Sequence, residues 1–304
     1  MRKVMLAGFL AFAYVLPESA GGAELKQETT EAFNQYVRVT EDRMAEELRD
    51  ARTFLWVDGF PGPQRGKLYT QLRRGEIVIE RLETLEREKR IRVPNGLIHH
   101  WVAVSFVPGV TLKQVLTLLQ DYDHHEAIYK PDVLRSRLLN ADGNCFKIYL
   151  RLHQKAILTA VFNAEFDVSY FPLDENRTHS RSYSTRIAEL ENPDRSDERE
   201  KPIGKDRGFL WRLNSYWRFQ EKDGGVYVQL ESVALSPCKI LSHAISSRSS
   251  FLTTRATKER ISKSPSFVPL ASLKPPSAED FMKLERTSLL EERKIQLRGE
   301  ASGR

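Results

Sequence analysis

Segments in which apolar and polar residues alternate dominate the middle of this chain. In residues 144–154, for example, Phe146, Ile148 and Leu150 alternate with polar side chains. This period of two predicts β-strands with one buried face and one solvated face. Turn signals such as residues 140–143 separate the segments, so consecutive strands are predicted to pair as antiparallel hairpins. Strands are predicted at residues 97–107, 132–140, 144–154, 157–171, 176–188, 209–221 and 225–235.

Helical patterns precede this series and interrupt it once. Residues 26–50 place apolar side chains at helical spacing, and Thr111 is predicted to cap a helix whose apolar residues Leu112 and Val115 lie on one stripe. Residues 121–131 form a second, short helical or looped segment. The chain is therefore predicted to be an α+β protein, in which two short helices follow the first strand of a curved, seven-stranded antiparallel sheet. Such a sheet, covered by helices, encloses a cavity.

The first 23 residues carry the features of a secretory signal peptide. Arg2 and Lys3 form a basic start, residues 4–16 are apolar, and small residues lead up to Ala23. The apolar run is shorter than the ~20 residues that a membrane-spanning helix needs. We therefore expect cleavage near Ala23 and export of a soluble mature protein, which is periplasmic or secreted.

The remaining chain divides into three parts. Residues 24–95 form an N-terminal helical and extended segment that is expected to pack against the main domain. Residues 96–235 hold all seven predicted strands. Residues 236–304 form a basic tail that contains Ser and Pro, with a helix pattern near residues 278–298.

Charge is distributed unevenly along the chain. The formal net charge is +6, but most of the excess of Lys and Arg lies in residues 236–304, so the strands carry no nucleic-acid footprint. No nucleic-acid partner is predicted. Two interpretations of the tail stay open, transient contact with an anionic membrane surface and a solvated segment, and its interleaved acidic residues favour the second.

The order of elements resembles that of the START-like, helix-grip (SRPBCC) superfamily, which includes polyketide cyclases and coenzyme Q-binding proteins. The chain looks most like the exported bacterial branch of that superfamily, over residues 96–235 only. The resemblance implies the helix-grip fold but no single activity, since the superfamily includes carriers, cyclases, hydrolases and sensors. The segments that carry it are residues 96–109, 112–116, 122–133, 183–187 and 214–219.

The chain departs from this superfamily after its last predicted strand. The superfamily closes its sheet with a long amphipathic helix, whereas residues 239–262 are crowded with Ser and Thr and carry an irregular apolar stripe. The closing C-terminal helix is therefore predicted to be degenerate or absent. A weak version of the helix and a tail that has lost the ancestral sequence are the two explanations, and we favour the second.

Large aromatic side chains on the predicted inward face are the candidates for lining the cavity. Ligand pockets are mostly apolar with few polar groups, and the alternative is that these residues form an ordinary hydrophobic core. The candidate lining residues are Trp101, Phe162, Phe166, Trp211, Trp217 and Phe219.

An acid–base site is the enzymatic hypothesis. General acid–base catalysis needs polar groups that converge on one substrate atom, and we favour the alternative that the polar strand residues point outward and pair across the sheet. The sequence lacks a Gly-x-Ser-x-Gly elbow, a phosphate loop and a dinucleotide fingerprint. The catalytic candidates are His99, His100, Arg181, Tyr183 and Asn214.

Candidate metal ligands and cysteines are few. Residues 121–126 hold several potential ligands, but His124 and His125 point apart on a helix, and no second cluster completes a set of three or four. No metal and no cofactor are predicted. Cys145 and Cys238 could pair in an oxidising compartment, although their spacing does not show that they meet.

These observations favour an exported binding protein that holds a lipid, a quinone or another hydrophobic small molecule in an aromatic-lined cavity. One alternative is a cyclase- or hydrolase-like enzyme that uses polar residues of the cavity. The other is a structural or interaction domain whose cavity is filled by side chains. The volume of the cavity, and the face of the sheet on which Arg181, Tyr183 and Asn214 lie, distinguish these possibilities.

Overall fold

The computed structural model describes residues 23–155, 159–203, 205–206 and 210–237. Within these ranges the helices are α1 (Gln27–Arg49), α2 (Gly62–Arg73), α3 (Leu112–Gln120) and α4 (His125–Tyr129), with 3₁₀ turns at Ala51–Thr53, Trp56–Gly59 and Tyr122–His124. The strands are β1 (Ala23–Glu24), β2 (Val78–Arg81), β3 (Leu85–Glu86), β4 (Lys89–Arg90), β5 (Gly96–Pro108), β6 (Val133–Asp142), β7 (Cys145–Lys155), β8 (Thr159–Pro172), β9 (Arg177–Glu191), β10 (Arg199–Glu200), β11 (Lys205–Asp206), β12 (Arg212–Lys222) and β13 (Gly225–Pro237).

Most of the strands belong to one antiparallel sheet, and its order explains how the domain is held together. Neighbouring strands follow the order β2-β5-β13-β12-β9-β8-β7-β6, and β10 pairs with the end of β9. The first long strand, β5, pairs over its full length with the last, β13. The seven predicted strands and the helical segments α3 and α4 are present, which confirms the predicted α+β class. The added strands β2 and β10 enlarge the sheet beyond seven strands.

The inner face of this sheet packs against α3. Thr111 caps the helix, because its side chain accepts a hydrogen bond from the backbone N–H of Gln114 and the Gln114 Oε1 accepts one from the Thr111 N–H at 2.9 Å. This reciprocal capping box satisfies two donors that the first turn would otherwise leave unpaired. The helix then places Val115 and Leu119 in one buried cluster with Phe219 of the sheet.

The outer face of β5 and β13 is buried as well, which corrects the expectation of a solvated back. Phe33 and Met44 of α1 share a buried cluster with Val233 and Leu235 of β13. Phe54, between α1 and α2, is fully buried in a neighbouring cluster on the same face. Because elements cover both faces here, every position of β13 is buried, and the simple alternation of buried and solvated residues does not hold.

A carboxylate at the centre of the outer face holds α1 in place. Glu231 on β13 is 1% exposed, and its Oε1 accepts hydrogen bonds from His100 Nε2 at 2.7 Å and from Arg43 of α1. Burial alone would raise the pKa of Glu231, but the hydrogen bond and charge of His100 and the charges of Arg43 and Arg218 lower that pKa below its ordinary value. Partners from β5, β12 and α1 thus stabilise the ionised form.

Further hydrogen bonds extend this contact along α1. Glu41 accepts hydrogen bonds from the hydroxyls of Tyr183 at 2.7 Å and Tyr216 at 2.8 Å. Arg218 on β12 donates to Glu47 at 2.6 Å. We call these residues, together with Glu231, His100 and Arg43, the outer-face ion network. It joins one helix of the N-terminal extension to four central strands of the sheet.

Several predicted segments lie outside the described residues. Residues 1–22 of the predicted signal peptide do so, and so do the closing helix at 239–262, the helix near 278–298 and Cys238. Ala23, at the predicted cleavage site, is the first residue of β1, which pairs with β11. In the part of the chain that the structure describes, no helix combines the length and the apolar character needed to cross a bilayer.

Replacing Glu231 by Gln should destabilise the fold strongly. The amide cannot balance the positive charges of Arg43 and Arg218, and breaking a buried ion pair from one side costs about 3–5 kcal/mol. We expect the free energy of unfolding, measured in urea, to fall by about that amount. The matched control is Glu46→Gln, which removes the carboxylate of the exposed Glu46–Arg49 pair on α1 and should cost less than about 1 kcal/mol. Equal losses in the two variants would show that the network does not hold α1.

Candidate functional site

A cavity lies between the inner face of the sheet and the helices α3 and α4. Its volume is about 160 Å³. The sheet supplies most of the wall, and Tyr122, His125 and Tyr129 close it from the helical side. The apolar part of the wall on the sheet includes Ile148, Leu150, Leu152, Phe166, Val168 and Trp217.

The helical side of the cavity is held by hydrogen bonds between buried polar groups. The hydroxyls of Tyr122 and Tyr170 lie 3.0 Å apart, and burial raises the pKa of Tyr122 above its ordinary value. His125 Nε2 donates to the carbonyl of Leu119 at 3.0 Å. Burial lowers the pKa of His125 to about 4, and the hydrogen bond to Leu119 offsets this only in part. The imidazole of His125 is therefore uncharged at neutral pH.

The cavity wall carries hydrogen-bonding groups but no formal charge. Among the described residues that line it there is no Lys, Arg, Asp or Glu. Its polar members are serines, tyrosines, Gln154 and the two histidines His99 and His125. An ion in such a site would lose its hydration without gaining a counter-charge, and burying an unpaired ion is very unfavourable.

Two of the six aromatic candidates line the cavity. Phe166 and Trp217 form part of its wall, and Trp217 stacks on Phe219 with ring centroids 5.9 Å apart. Phe162 and Phe219 are fully buried in the surrounding cluster and do not reach the cavity surface. For these two residues the structure corrects the lining assignment, because both side chains are packed within the hydrophobic core.

The two remaining tryptophans lie elsewhere. Trp101 shares a face of β5 with the lining residue His99, but it is half-buried and is not part of the cavity wall. Trp211 belongs to the outer-face cluster that contains Phe33 of α1, so its inward assignment is wrong. The reason is that β12 begins only at Arg212, and the alternation read from the sequence does not extend back to Trp211.

The two adjacent histidines point to opposite faces of the sheet, as their positions in one strand require. His99 lines the cavity, and its Nε2 lies 2.9 Å from Ser236 Oγ. His100 lies on the outer face and binds Glu231. Only His99 of this pair can therefore contact a molecule in the cavity.

The other three catalytic candidates lie on the outer face with His100. Asn214 and Tyr183 are cross-strand neighbours on β12 and β9, and Tyr183 donates to Glu41 of α1. Arg181 lies on the same face of β9 as Tyr183. Its guanidinium carbon lies 5.9 Å from the centre of the Phe171 ring. General acid–base catalysis needs convergent groups, and these residues face away from the cavity. Their placement corrects the suggestion that they border it.

Sequence reasoning missed a set of serines that lines the cavity. Ser180 and Ser182 lie on the inner face of β9, Ser215 on β12 and Ser232 on β13. On β9 these serines alternate with larger polar residues such as Arg181. The larger residues are the more conspicuous site candidates in the sequence, but they lie on the outer face. The signal available in the sequence was the period-two run of serines itself, because small side chains on an inner face leave room for a cavity.

The ligand-rich segment at residues 121–126 shows no metal-binding geometry. His124 Nδ1 contacts Asp121 on the surface at 2.7 Å, whereas His125 turns into the cavity wall. Within the described ranges, no three His, Cys, Asp or Glu side chains are grouped as metal ligands. Cys145 is exposed.

The cavity is smaller than most ligand pockets, which measure ~300–1,000 Å³, since its volume is about 160 Å³. An apolar cavity of ~150 Å³ is nevertheless large enough to bind benzene. The inner face therefore encloses open space of about the size of one ring, and it is not completely filled by side chains.

No family model matches this chain, and no curated protein matches it. Among solved structures, a STAR-related lipid transfer protein from Xanthomonas axonopodis is similar at 15% identity over 60% of this chain and 98% of its own, with a TM-score of 0.39. Human STARD10 is similar at 11% identity over 68% of this chain and 82% of its own, with a TM-score of 0.42. The Zhui aromatase/cyclase from Streptomyces sp. R1128 is similar at 16% identity over 57% of this chain and all of its own, with a TM-score of 0.37.

The chain has a START-like, helix-grip fold, as the sequence predicted. Its own topology shows this: one long strand, two helical segments and six further long strands, the last of which returns to pair with the first. Membership of an exported branch stays a prediction. Since one fold supports many activities, the function is argued from the cavity and not from the fold.

The burial of His125 should make the stability of the protein depend on pH. Its pKa is about 4 in the folded protein and ~6.5 in an unfolded chain, so the unfolded chain binds a proton first as the pH falls. The stabilisation that comes from the uncharged His125 is complete above pH ~6.5. As the pH falls from ~6.5 to ~4, the free energy of unfolding should decrease by up to about 3 kcal/mol. His125→Gln, which keeps a donor for the Leu119 carbonyl, should flatten the decline in urea-unfolding free energy over this range.

The control for this measurement is His124→Gln, on the exposed side of the same turn. Because His124 faces solvent beside Asp121, its loss should leave the decline in place. The pKa of His179 is also lowered to about 4, by burial and by the charges of Arg181 and Arg218, so part of the decline should remain in both variants. An identical pH profile in the two variants would show that His125 is not the buried titrating group.

Proposed function

We propose that this protein binds a hydrophobic small molecule, such as a lipid, a quinone or another ring-bearing compound, and holds it without transforming it. The observation that carries the proposal is the open cavity between the inner face of the sheet and α3 and α4. Its wall is mostly apolar, which is the usual composition of small-molecule sites.

The distribution of polar groups favours binding over catalysis. The solved structures similar in fold include one named for lipid transfer and one named as an aromatase/cyclase. A cyclase-like activity would require polar groups that converge on a substrate. In this chain Arg181, Tyr183 and Asn214 lie on the outer face of the sheet, and of the catalytic candidates only His99 is among the described residues of the cavity wall.

The size of the cavity limits how much of a ligand it encloses. A volume of about 160 Å³ corresponds to about one ring, by comparison with the benzene-sized cavity of ~150 Å³. A larger lipid or quinone would therefore insert one ring or one short apolar segment, and the rest of the molecule would remain outside the described wall.

Filling the cavity should weaken ligand binding strongly without unfolding the protein. Leu150 is a half-buried member of the wall on β7, and Leu150→Trp would place an indole in the open space. We expect the wild-type protein to bind toluene, measured by ligand-observed NMR, and Leu150→Trp to bind it at least about tenfold more weakly. Overpacking should cost about 1–3 kcal/mol of stability, so retention of the fold is checked by circular dichroism.

The matched control is Leu139→Trp, an identical substitution at an exposed position of the neighbouring strand β6. It should bind toluene as the wild type does. Native mass spectrometry of the protein purified from its source provides an independent measurement, in which a bound hydrophobic molecule is expected. Absence of both toluene binding and a co-purifying ligand would overturn the proposal.

We also propose that the mature protein is exported, on the basis of the basic and apolar pattern of residues 1–23. Cleavage after Ala23 would make Glu24 the first residue of the mature chain. The intact mass of the protein from the extracytoplasmic fraction should then correspond to residues 24–304. A full-length mass in the cytoplasmic fraction would contradict export.

A further inference from the structure

Three serines form a continuous row across the sheet side of the cavity. Ser215 on β12 is the direct cross-strand partner of Ser182 on β9 and of Ser232 on β13. All three line the cavity, and direct cross-strand neighbours have their Cβ atoms about 5 Å apart. We call Ser182, Ser215 and Ser232 the serine row. It is a polar strip about three strands wide in a wall that is otherwise mostly apolar.

A fourth serine beside this row has an unsatisfied hydroxyl. Ser180 precedes Ser182 by two positions on the same face of β9, lines the cavity and is 1% exposed. Its Oγ has no hydrogen-bond partner among the described residues. The Oε1 of Gln154, in the cavity wall on β7, is also buried without a partner there. Buried polar atoms are nearly always paired, so such atoms in a cavity wall point to a partner that the cavity receives.

The chemistry of that partner is restricted by the absence of charge. No Lys, Arg, Asp or Glu belongs to the described wall, and His125 is uncharged at neutral pH because burial lowers its pKa to about 4. A carboxylate or a phosphate would therefore meet hydroxyls and apolar groups without a counter-charge, which does not compensate for its lost hydration. A hydroxyl or a carbonyl group loses less hydration free energy than an ion does, and it can form a hydrogen bond with a serine.

We infer that the cavity selects an uncharged, ring-bearing molecule whose hydroxyl or carbonyl oxygen forms a hydrogen bond with Ser180 Oγ, next to the serine row. This inference rests on the proposed function and names the ligand class of the same site. The hydroxyl of Ser180 is buried and has no partner among the described residues, so a ligand oxygen would supply a hydrogen bond that the protein itself does not. An apolar ligand of the same shape leaves Ser180 unpaired.

The test compares three probes of similar size, which are toluene, p-cresol and benzoate, at neutral pH. p-Cresol adds one uncharged hydroxyl to toluene, and benzoate carries a charge. Affinities are measured by ligand-observed NMR for the full-length protein. One hydrogen bond should make p-cresol bind about three- to tenfold more tightly than toluene, and benzoate should bind more weakly than either.

Two serine variants assign the selectivity to a residue. Ser180→Ala should reduce the p-cresol to toluene affinity ratio to within about twofold of one, because it removes the hydroxyl that only p-cresol can pair with. The control is Ser105→Ala on β5, whose hydroxyl is likewise 1% exposed and unpartnered among the described residues but does not line the cavity. It should keep the wild-type ratio. Neither variant should lower the thermal unfolding temperature, because each removes an unsatisfied polar group.

The outcomes separate this inference from the proposed function. If toluene and p-cresol bind equally to the wild type, or if Ser180→Ala keeps the wild-type ratio, the inference is overturned while binding of a hydrophobic molecule stands. If benzoate binds most tightly, the uncharged ligand class is wrong. If none of the probes binds, the inference fails, and if no hydrophobic molecule co-purifies with the protein either, the proposed function fails with it.

Discussion

The buried carboxylate of Glu231 is the interaction on which the rest of the structure depends. A carboxylate that is 1% exposed is tolerated only when positively charged or hydrogen-bonding partners stabilise its charge. Here the stabilisation comes from His100 on β5, Arg218 on β12 and Arg43 on α1. Since Arg43 belongs to the N-terminal extension, the outer face of the sheet is complete only when α1 is docked. The extension is therefore a structural part of the domain.

Docking of α1 also sets the chemistry of the cavity on the other side of the sheet. Side chains alternate between the two faces, so the residues of β9, β12 and β13 that meet α1 have neighbours that face inward. Glu231 and Arg218 take the outer positions, while Ser232, Trp217 and Ser182 take the inner ones. The charged groups of the central strands are thus gathered on the face away from the cavity. An inner face with hydroxyls and apolar groups remains, which suits an uncharged molecule.

The open space itself depends on small inner residues. Large side chains at the serine positions of β9, β12 and β13 would fill the region between the sheet and α4. A filled core would also avoid unpaired hydroxyls, which lower stability. Retaining Ser180 with an unpartnered Oγ therefore has no structural advantage that the described residues reveal. An unpartnered hydroxyl in the wall of an open cavity directs attention to the cavity as the functional part of the protein.

The sequence by itself determined the strands, the capped helix after Thr111 and the START-like order of elements, because periodicity, turns and caps are local signals. It also placed His99 and His100 on opposite faces. Only the tertiary structure decided which face was the inner one for β9, where the serines point inward and Tyr183 donates to Glu41 of α1 on the opposite face. It likewise placed Trp211 against α1. Alternation fixes that neighbours differ, but packing against a distant segment decides which side is covered, and α1 lies far from these strands in the sequence.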